Sequence, residues 1–375
     1  MSSDKNNQNR NKRVLVAMSG GVDSSTTAAL LKDQGYEVIG ANMRLWYRDK
    51  DEEIAEQNAK GCCSLKASHD AKRVADKLDI PFYVMNFKEI FYQQVVKDFI
   101  NEYMKGRTPN PCIACNKYLK WQKFLQKALE LECDYIATGH YARIKYDEKR
   151  SRYLLYTAVD DKKDQTYMLY NMNQEELSRT LFPLGDYSKA RTRELAQKYD
   201  LVTSNKPESQ DICFIPDNDY RKFISEEAPK KIEKGPIINL NGEKLGEHKG
   251  IPYYTIGQRK GLGISLGRPQ YVVDIDTQKN AVIIGDKEDL LTHEFITEDV
   301  NWIAFDSLDN SIDVDAKIRY NAEPVPSKII PLTEQEGKVK VEFNEPEEAV
   351  APGQAVVFYD GEMVVGGGTI KKSCR

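Results

Sequence analysis

The chain has 375 residues, of which 40% are hydrophobic, 30% charged and 10% aromatic, a globular mixture long enough for two or three domains. The formal net charge of −4 gives no support to nucleic-acid binding. No run approaches the ~18 apolar residues of a membrane helix, and seven scattered cysteines do not resemble a secreted disulfide framework. We therefore expect a cytoplasmic protein without membrane partners, preceded by a disordered tail over residues 1–12.

The first half of the chain alternates short apolar runs with helical patterns. The predicted strands cover residues 13–18, 37–43, 82–87 and 134–138, and the predicted helices cover residues 24–35, 64–80, 89–104 and 117–132. Repeated β-α-β units predict a parallel sheet with helices on both faces. Sites in such folds lie beyond the carboxyl ends of the strands.

The second half of the chain is rich in glycine, proline and hairpin signals. Asn241-Gly242 and Asp360-Gly361 are typical of tight turns between antiparallel strands. We predict an α/β domain over residues 13–206 and a small β-rich central domain over residues 207–286. A C-terminal β-barrel is predicted over residues 289–375.

The stretch AMSGGVDSS, residues 17–25, lies between a predicted strand and a predicted helix, where phosphate-binding loops occur. Gly20 and Gly21 allow close approach of the backbone to a phosphate, and the helix N-terminus offers unpaired N–H groups. Asp23 would repel phosphates unless it acts on Mg²⁺. The loop lacks the Gly-Lys-Ser/Thr of a Walker A motif. The alternative is a glycine-rich turn with a serine cap.

The SGGVDS motif resembles the PP-loop of ATP pyrophosphatases, whose fold is that of the adenine nucleotide alpha hydrolases. Seven further stretches resemble the tRNA-specific 2-thiouridylase family. They are GRTPNPCIACNKYLKW (106–121), ATGHYAR (137–143), KKDQTYML (162–169), SQDICFI (209–215), IPYYTIGQRKGLGI (251–264), KIRYN (317–321) and APGQAVVFYD (351–360). They occur in collinear order over almost the whole chain, so the resemblance implies this family rather than the superfamily alone.

The resemblance implies that ATP adenylates the C2 oxygen of a tRNA wobble uridine and that sulfur then displaces AMP. The target base must leave the stack to be reached. The implied ATP contacts are Ala17, Met18, Ser19, Gly20, Gly21, Val22, Asp23, Ser24, Met43 and Gly139. The implied tRNA contacts are His140, Lys163, Asp164, Gln165, Arg319, Tyr320 and Gln354.

The resemblance also implies roles for two cysteines. Cys213 would carry the sulfur as a persulfide, supplied by a cysteine desulfurase or a sulfur-relay protein. Cys115 would release that sulfur and form a transient disulfide with Cys213, by ordinary thiol exchange. We expect a helix to begin just after Cys115, where its N-terminus and Lys117 would favour the thiolate.

Asn110, Pro111 and Cys112 match a family motif at the target base, but many members have aspartate where this chain has Cys112. A thiol has an unperturbed pKa of ~8.5, against ~3.9 for aspartate, so it is not an equivalent base. Three interpretations stay open: Cys112 lines the base pocket, it is a spare thiol, or it joins Cys115 and Cys213 as a ligand of an iron–sulfur cluster that binds free sulfide. No fourth ligand lies at the spacing of a zinc site.

Two functions of other classes compete with tRNA thiolation. One is a PP-loop synthetase acting on a small molecule, which would not need Cys213. The other is an RNA-binding module with an inactive loop. The adjacent pair Cys62-Cys63 is interpreted as buried or spare thiols.

Overall fold

A computed structural model of the chain describes residues 9, 11–46, 65–207, 212–215, 219–229, 232–264, 267–332 and 337–374. Residues 372–374 are described by their backbone alone. Most of the predicted tail, the Cys62-Cys63 pair and residues 209–211 therefore lie outside the described residues. The chain divides into two compact units, residues 1–95, 112–218 and 362–364 in the first and residues 96–111, 219–361 and 365–375 in the second. No helix within the described ranges has both the length and the apolarity that a bilayer crossing requires.

A five-stranded parallel sheet forms the centre of the first unit. Its strands, with an additional hairpin, are β1 Arg13–Ala17, β2 Glu37–Arg44, β3 Phe82–Asn86, β4 Tyr135–Ala137, β5 Arg143–Asp147, β6 Arg152–Tyr156 and β7 Thr180–Leu181. The sheet order is β3-β2-β1-β4-β7, and all four pairings are parallel. The predicted parallel sheet is therefore confirmed, whereas the antiparallel hairpin of β5 and β6 was not predicted.

The helices before residue 131 follow the predicted pattern with one difference, whereas the three helices after residue 173 were not predicted. They are α1 Val22–Asp33, α2 Leu65–Lys77, α3 Lys88–Phe91, α4 Lys97–Met104, α5 Pro111–Ala114, α6 Leu125–Glu130, α7 Gln174–Ser178, α8 Lys189–Lys198 and α9 Tyr220–Glu227. Two π-helical segments, Tyr92–Val96 and Cys115–Phe124, join α3 to α4 and α5 to α6. The helix predicted from residue 117 begins already at Pro111, because the fixed φ of proline and its missing N–H suit the first helical position.

The core of the first unit fixes the strand that leads into the phosphate loop. Val14 and Val16 of β1 are fully buried and pack in one cluster with Ala28 and Leu31 of α1. Each fully buried aliphatic side chain of this size contributes about 1.5–3 kcal/mol relative to an exposed one. The loop between β1 and α1 is therefore held at both ends by packed elements.

The second unit is built mainly from antiparallel strands, with one parallel pairing in its smaller sheet. A four-stranded sheet of order β10-β11-β8-β9 contains β8 Gly235–Asn239, β9 Lys244–His248, β10 Tyr271–Asp276 and β11 Ala281–Gly285. Gly242 has a φ of +83°, which confirms the predicted tight turn between β8 and β9.

Six further strands form the barrel. They are β12 Leu291–Trp302, β13 Ile312–Lys317, β14 Val325–Pro331, β15 Val339–Glu348, β16 Ala355–Asp360 and β17 Met363–Cys374. Their order is β12-β15-β14-β13-β16-β17, and the pairing of β17 with β12 closes the sheet. The predicted fold class is thus confirmed, while the predicted domain limits at residues 206, 286 and 289 stay a prediction.

Candidate active site

The loop between β1 and α1 has the geometry of an anion-binding turn. Gly20 has a φ of +71°, and a Cβ there would lie 2.0 Å from the carbonyl oxygen of Ala67. Gly21 is the N-cap of α1 and provides no side-chain cap, so the first N–H groups of the helix are not capped by a side chain. The N–H of Ser19 donates to Ser24 Oγ at 3.1 Å. The loop therefore leaves backbone donors and two hydroxyls at a helix N-terminus.

Three predicted ATP contacts have side chains in the core. Ala17, Met18 and Val22 are 9%, 1% and 2% exposed, so only their backbones can reach a nucleotide. The Met18 carbonyl accepts from Asn42 Nδ2 at 2.8 Å, and the Met18 N–H donates to the Ala41 carbonyl at 2.7 Å. Buried Asn42 thus fixes the start of the loop, a role that the sequence did not reveal.

Met43 and Gly139 lie where the carboxyl ends of parallel strands meet. Met43 is half-buried near the end of β2. A Cβ on Gly139 would lie 2.8 Å from the Ser24 nitrogen and 2.9 Å from Asp23. Only glycine therefore allows the segment after β4 to contact the first turn of α1, while the ATP contact of Gly139 stays a prediction.

Asp23 is held by partners from distant parts of the sequence. Lys189 Nζ donates to both Asp23 carboxylate oxygens at 2.7 and 2.8 Å, and the Tyr141 hydroxyl donates to Oδ1 at 2.9 Å. Gln165 Oε1 accepts from the Tyr141 N–H at 3.0 Å. The Asp23 side chain remains 30% exposed, so a cation at the loop can still reach the carboxylate.

The surroundings of His140 favour a neutral imidazole with one preferred tautomer. Burial, followed by the nearby charge of Lys120, holds the pKa of His140 well below its ordinary value. Lys120 Nζ lies 3.1 Å from His140 Nε2, and an ammonium can only donate, so Nε2 accepts. Nδ1–H then donates to Thr138 Oγ1 at 2.6 Å. Lys120, to which the sequence analysis gave no role, therefore joins the helix carrying Cys115 to the segment beside the phosphate loop.

The helix around the two neighbouring cysteines corrects one prediction. The helix begins at Pro111, so the expected helix start just after Cys115 is wrong. Cys115 lies one turn inside the helix and is half-buried, whereas Cys112 lies in the first turn and is exposed. The positive end of the helix dipole is therefore closer to Cys112 than to Cys115.

Cys213 lies in a short segment anchored by its neighbour. Phe214 is 1% exposed, and its ring contacts Trp46 and Phe91 at centroid distances of 6.2 and 5.6 Å. Cys213 itself is half-buried. The aromatic cluster thus places the predicted persulfide carrier in the first unit, together with Cys115.

The iron–sulfur interpretation gains no support from the cysteine positions. The structure describes Cys112, Cys115 and Cys213. Across the described ranges, no group of three or more His, Cys, Asp or Glu residues is arranged to hold a metal ion. Asp23 at the phosphate loop remains suited to Mg²⁺, which binds through one or two carboxylates together with substrate phosphates.

Two of the predicted tRNA contacts just before residue 166 make local hydrogen bonds. Asp164 accepts from the Ala158 N–H at 3.0 Å and from Thr166 Oγ1 at 2.6 Å. Gln165 contacts Tyr141, and Lys163 ends a short 3₁₀ turn. The segment is therefore fixed next to the Asp23 network.

The remaining predicted RNA contacts belong to the second unit. Arg319 and Tyr320 follow β13, and the Tyr320 side chain is 37% exposed. Gln354 Nε2 donates to the Thr108 carbonyl at 2.8 Å. The loop that leads to Asn110 and buried Pro111 is thus bound to the barrel segment containing Gln354. Gln354 therefore has a structural role within the protein besides the predicted contact with tRNA.

Family profiles and known relatives agree with this architecture. Residues 12–217 match a profile described as a tRNA methyl transferase HUP domain, residues 221–286 a tRNA methyl transferase PRC-barrel domain, and residues 292–370 an aminomethyltransferase beta-barrel domain. A nucleotide-binding α/β domain followed by these two β-rich modules defines a class of tRNA-modifying proteins.

Three similar proteins carry the name tRNA-specific 2-thiouridylase MnmA. Those of Natranaerobius thermophilus and Carboxydothermus hydrogenoformans are 60% and 55% identical, each over 96% of this chain and 98% of the relative. That of Clostridioides difficile is 53% identical over 97% of this chain and 99% of the relative. The chain therefore belongs to the tRNA-specific 2-thiouridylase family, which confirms the resemblance found in its motifs.

Proposed function

We propose that this protein is an ATP-dependent sulfurtransferase that replaces the C2 oxygen of a tRNA wobble uridine with sulfur. Besides the family, one observation supports the proposal. The helix that carries Cys115 contacts His140 through Lys120, and Gly139, the residue before His140, lies against the first turn of α1. A sulfur-handling thiol and a nucleotide loop thus belong to one contact network.

ATP fits the loop between β1 and α1. The N–H groups at the start of α1 and the hydroxyls of Ser19 and Ser24 would bind phosphate oxygens. Asp23 would hold Mg²⁺, which neutralises charge on pyrophosphate as it leaves. Met43 and Gly139, at the ends of β2 and β4, would lie beside the rest of the nucleotide.

The proposed reaction has two stages, adenylation of the uridine and then transfer of sulfur. The uridine C2 oxygen attacks the α-phosphorus of ATP, so that pyrophosphate leaves and AMP becomes bonded to that oxygen. The Cys115 thiolate then attacks the inner sulfur of a Cys213 persulfide, which releases hydrosulfide and forms the Cys115–Cys213 disulfide. Hydrosulfide attacks C2 and AMP leaves with the oxygen. A two-electron thiol reductant reopens the disulfide, and a desulfurase or sulfur-relay protein reloads Cys213.

Cys112, together with Asn110 and Pro111, would line the pocket of the extruded uridine. Its exposure and its first-turn position suit a contact with the base. We expect Cys112→Ala to lower thiolation at unchanged ATP affinity and Cys112→Asp to retain activity. Equal thiolation by the wild type and Cys112→Ala would show that Cys112 is a spare thiol.

The tRNA would contact both units of the protein. We propose the contacts implied by the family resemblance, which are His140, Lys163, Asp164, Gln165, Arg319, Tyr320 and Gln354. Tyr320, exposed after β13, suits stacking on an unpaired base. Asp164 and Gln354, which form hydrogen bonds within the protein, would act mainly by positioning their segments.

Mass spectrometry of nucleosides tests the function. Unmodified tRNA would be incubated with the protein, Mg²⁺, ATP, a sulfur donor and a thiol reductant, then digested. We expect a uridine whose mass has risen by the difference between sulfur and oxygen. A product heavier by a methyl group would instead indicate a tRNA methyl transferase, the activity that the descriptions of two family profiles mention. ATP turnover with a small acid and no tRNA product would indicate a small-molecule synthetase.

A further inference from the structure

The central sheet of the second unit carries a basic stretch that stands out in an acidic chain. Residues 248–273 contain no aspartate or glutamate but four Lys or Arg residues, although the whole chain has 58 acidic and 54 basic residues. Part of this stretch, residues 251–264, is among the motifs of the family resemblance, yet no step of the proposed chemistry uses it. We call residues 258–264 the basic loop.

The basic loop is anchored by one side chain that packs into the hydrophobic core of the four-stranded sheet. Leu262 is 6% exposed and packs in one cluster with Val272 and Ile284 of the sheet. Gln258 fixes the start of the loop, because its Oε1 accepts from the Thr255 N–H at 3.2 Å and its Nε2 donates to the Lys260 carbonyl at 3.0 Å. The loop is therefore a built feature of the fold.

The outer face of the loop presents backbone and cations to solvent. Gly261 and Gly263 have φ values of +77° and +75°, and a Cβ on Gly263 would meet no atom within 4 Å. Arg259 and Lys260, which precede these glycines, are exposed. Because these glycines have left-handed φ values and no side chains, the backbone of the loop stays open to solvent.

Two more arginines approach this face. Arg259 and Arg268 line the same cavity of about 200 Å³. Arg221 of α9 places Nη1 3.5 Å from the position of a Cβ on Gly261. Arg268 pairs with Asp286 at 3.0 Å, but the side chains are 67% and 40% exposed, and pairs that solvent reaches in this way are weak. Ser265 and Leu266 lie outside the described residues.

The other three cations have no carboxylate partner among the residues that the structure describes. In the part of the chain that the structure describes, no aspartate or glutamate oxygen lies within ion-pairing distance of Arg221, Arg259 or Lys260. Cations at this density repel one another, so a bound anion would be favourable. Arginine fork geometry and exposed loop backbone suit phosphate oxygens in particular.

We propose that the basic loop, with Arg221 and Arg268, binds the sugar-phosphate backbone of the tRNA substrate and is a docking site separate from the target-base pocket. The inference rests on the proposed function for the identity of the RNA. The proposed contacts are made to phosphates. Such contacts position the RNA on the protein but do not depend on its base sequence. In a chain with a net charge of −4, this local positive charge is the feature that an RNA backbone would recognise.

Binding of an unmodified tRNA transcript at several salt concentrations tests the proposal. The test variant combines Arg221→Gln, Arg259→Gln and Lys260→Gln in the full chain. We expect its Kd near physiological salt to rise about tenfold or more, and the slope of log K against log salt to shrink by about 1 for each phosphate that the variant no longer binds. ATP affinity should stay at the wild-type value, which also shows that the variant is folded.

Lys279→Gln is the matched control, because Lys279 is 76% exposed on the neighbouring turn but already pairs with Asp276. Its salt slope should equal that of the wild type. An unchanged Kd and slope in the triple variant would overturn the proposal. A second result would also overturn it: the triple variant binds tRNA normally but loses thiolation only when a protein delivers the sulfur. The loop would then bind an acidic protein instead of the tRNA. If the wild type binds tRNA but makes no 2-thiouridine, the proposed function fails while the salt comparison still decides the role of the loop.

Discussion

Lys189 Nζ lies within 2.8 Å of both carboxylate oxygens of Asp23, although the two residues are separated by 166 positions in the sequence. Lys189 is only 12% exposed, so solvent screens this pair less than a surface ion pair. Tyr141 adds a third hydrogen bond to the same carboxylate. The acidic residue of the phosphate loop is therefore charge-balanced and fixed before any nucleotide binds.

Removal of Lys189 tests this network. Lys189→Met keeps the apolar stem but leaves the Asp23 carboxylate with the Tyr141 hydroxyl, so we expect the free energy of unfolding to fall by about 1–3 kcal/mol. Urea denaturation measures the change. The double variant with Asp23→Asn should lose less stability than the sum of the single variants. Strictly additive effects would show that the two side chains are not energetically coupled.

Gly20 should not tolerate a side chain. Gly20→Ala places a Cβ at a positive φ and 2.0 Å from the Ala67 carbonyl oxygen, so the loop or α2 must move. We expect a stability decrease above ~1 kcal/mol and weaker ATP binding by calorimetry. Gly21→Ala is the control for stability, because its Cβ would only meet Ser19 Oγ at 3.5 Å. Equal stability of the two variants would contradict the loop geometry.

His140 should make stability depend on pH. Its pKa is lowered in the folded state by burial and then by Lys120, so below about pH 6.5 the unfolded chain binds the proton more readily. The unfolding free energy should therefore fall as pH drops from 6.5 toward the folded pKa, by up to ~1.4 kcal/mol per pH unit. Urea denaturation at pH 7.5 and 5.5 would show this decrease reduced in His140→Asn. Exposed His69 supplies the control His69→Asn, and identical pH dependence in both variants would contradict the lowered pKa of His140.

Phe214 should control how the Cys213 segment is held. Phe214→Ala removes a ring that is 1% exposed and contacts Trp46 and Phe91, so we expect Cys213 to be alkylated faster and stability to fall by about 3–5 kcal/mol. Phe214→Leu keeps most of the volume and should stay near the wild-type alkylation rate. Peptide mass spectrometry of the alkylated thiol gives the rates. No difference between the Ala and Leu variants would show that the aromatic cluster does not hold Cys213.

The parallel sheet and the phosphate loop could be predicted because their signals are local. The apolar run of β1, the glycines after it and the following helix are adjacent in sequence. The tight turn at Gly242 is local in the same way. These elements needed no knowledge of distant contacts.

The partners of the site residues could not be predicted in this way. Lys189 and Tyr141 reach Asp23 only after the sheet has formed. Tyr141 lies in the stretch ATGHYAR and Lys189 in none of the quoted stretches, but nothing local in either segment indicates a contact with Asp23. The helix start at Pro111 was missed because Asn-Pro-Cys resembles a turn, although proline also suits the first helical position. Lys120 is one lysine of a charged helix until its contact with His140 distinguishes it.

The two cysteines assigned to sulfur transfer provide the most direct test of the proposed function. Cys115→Ala and Cys213→Ala would each be incubated with tRNA, ATP, Mg²⁺, a persulfide donor and a thiol reductant, and nucleosides would be quantified by mass spectrometry. The control is Cys133→Ala, since burial raises the pKa of Cys133 to about 11 and keeps it a thiol at neutral pH. We expect wild-type 2-thiouridine from the control, and none from Cys115→Ala or Cys213→Ala at unchanged ATP and tRNA affinity. Near-normal 2-thiouridine from either of those two variants would contradict the sulfur-transfer mechanism.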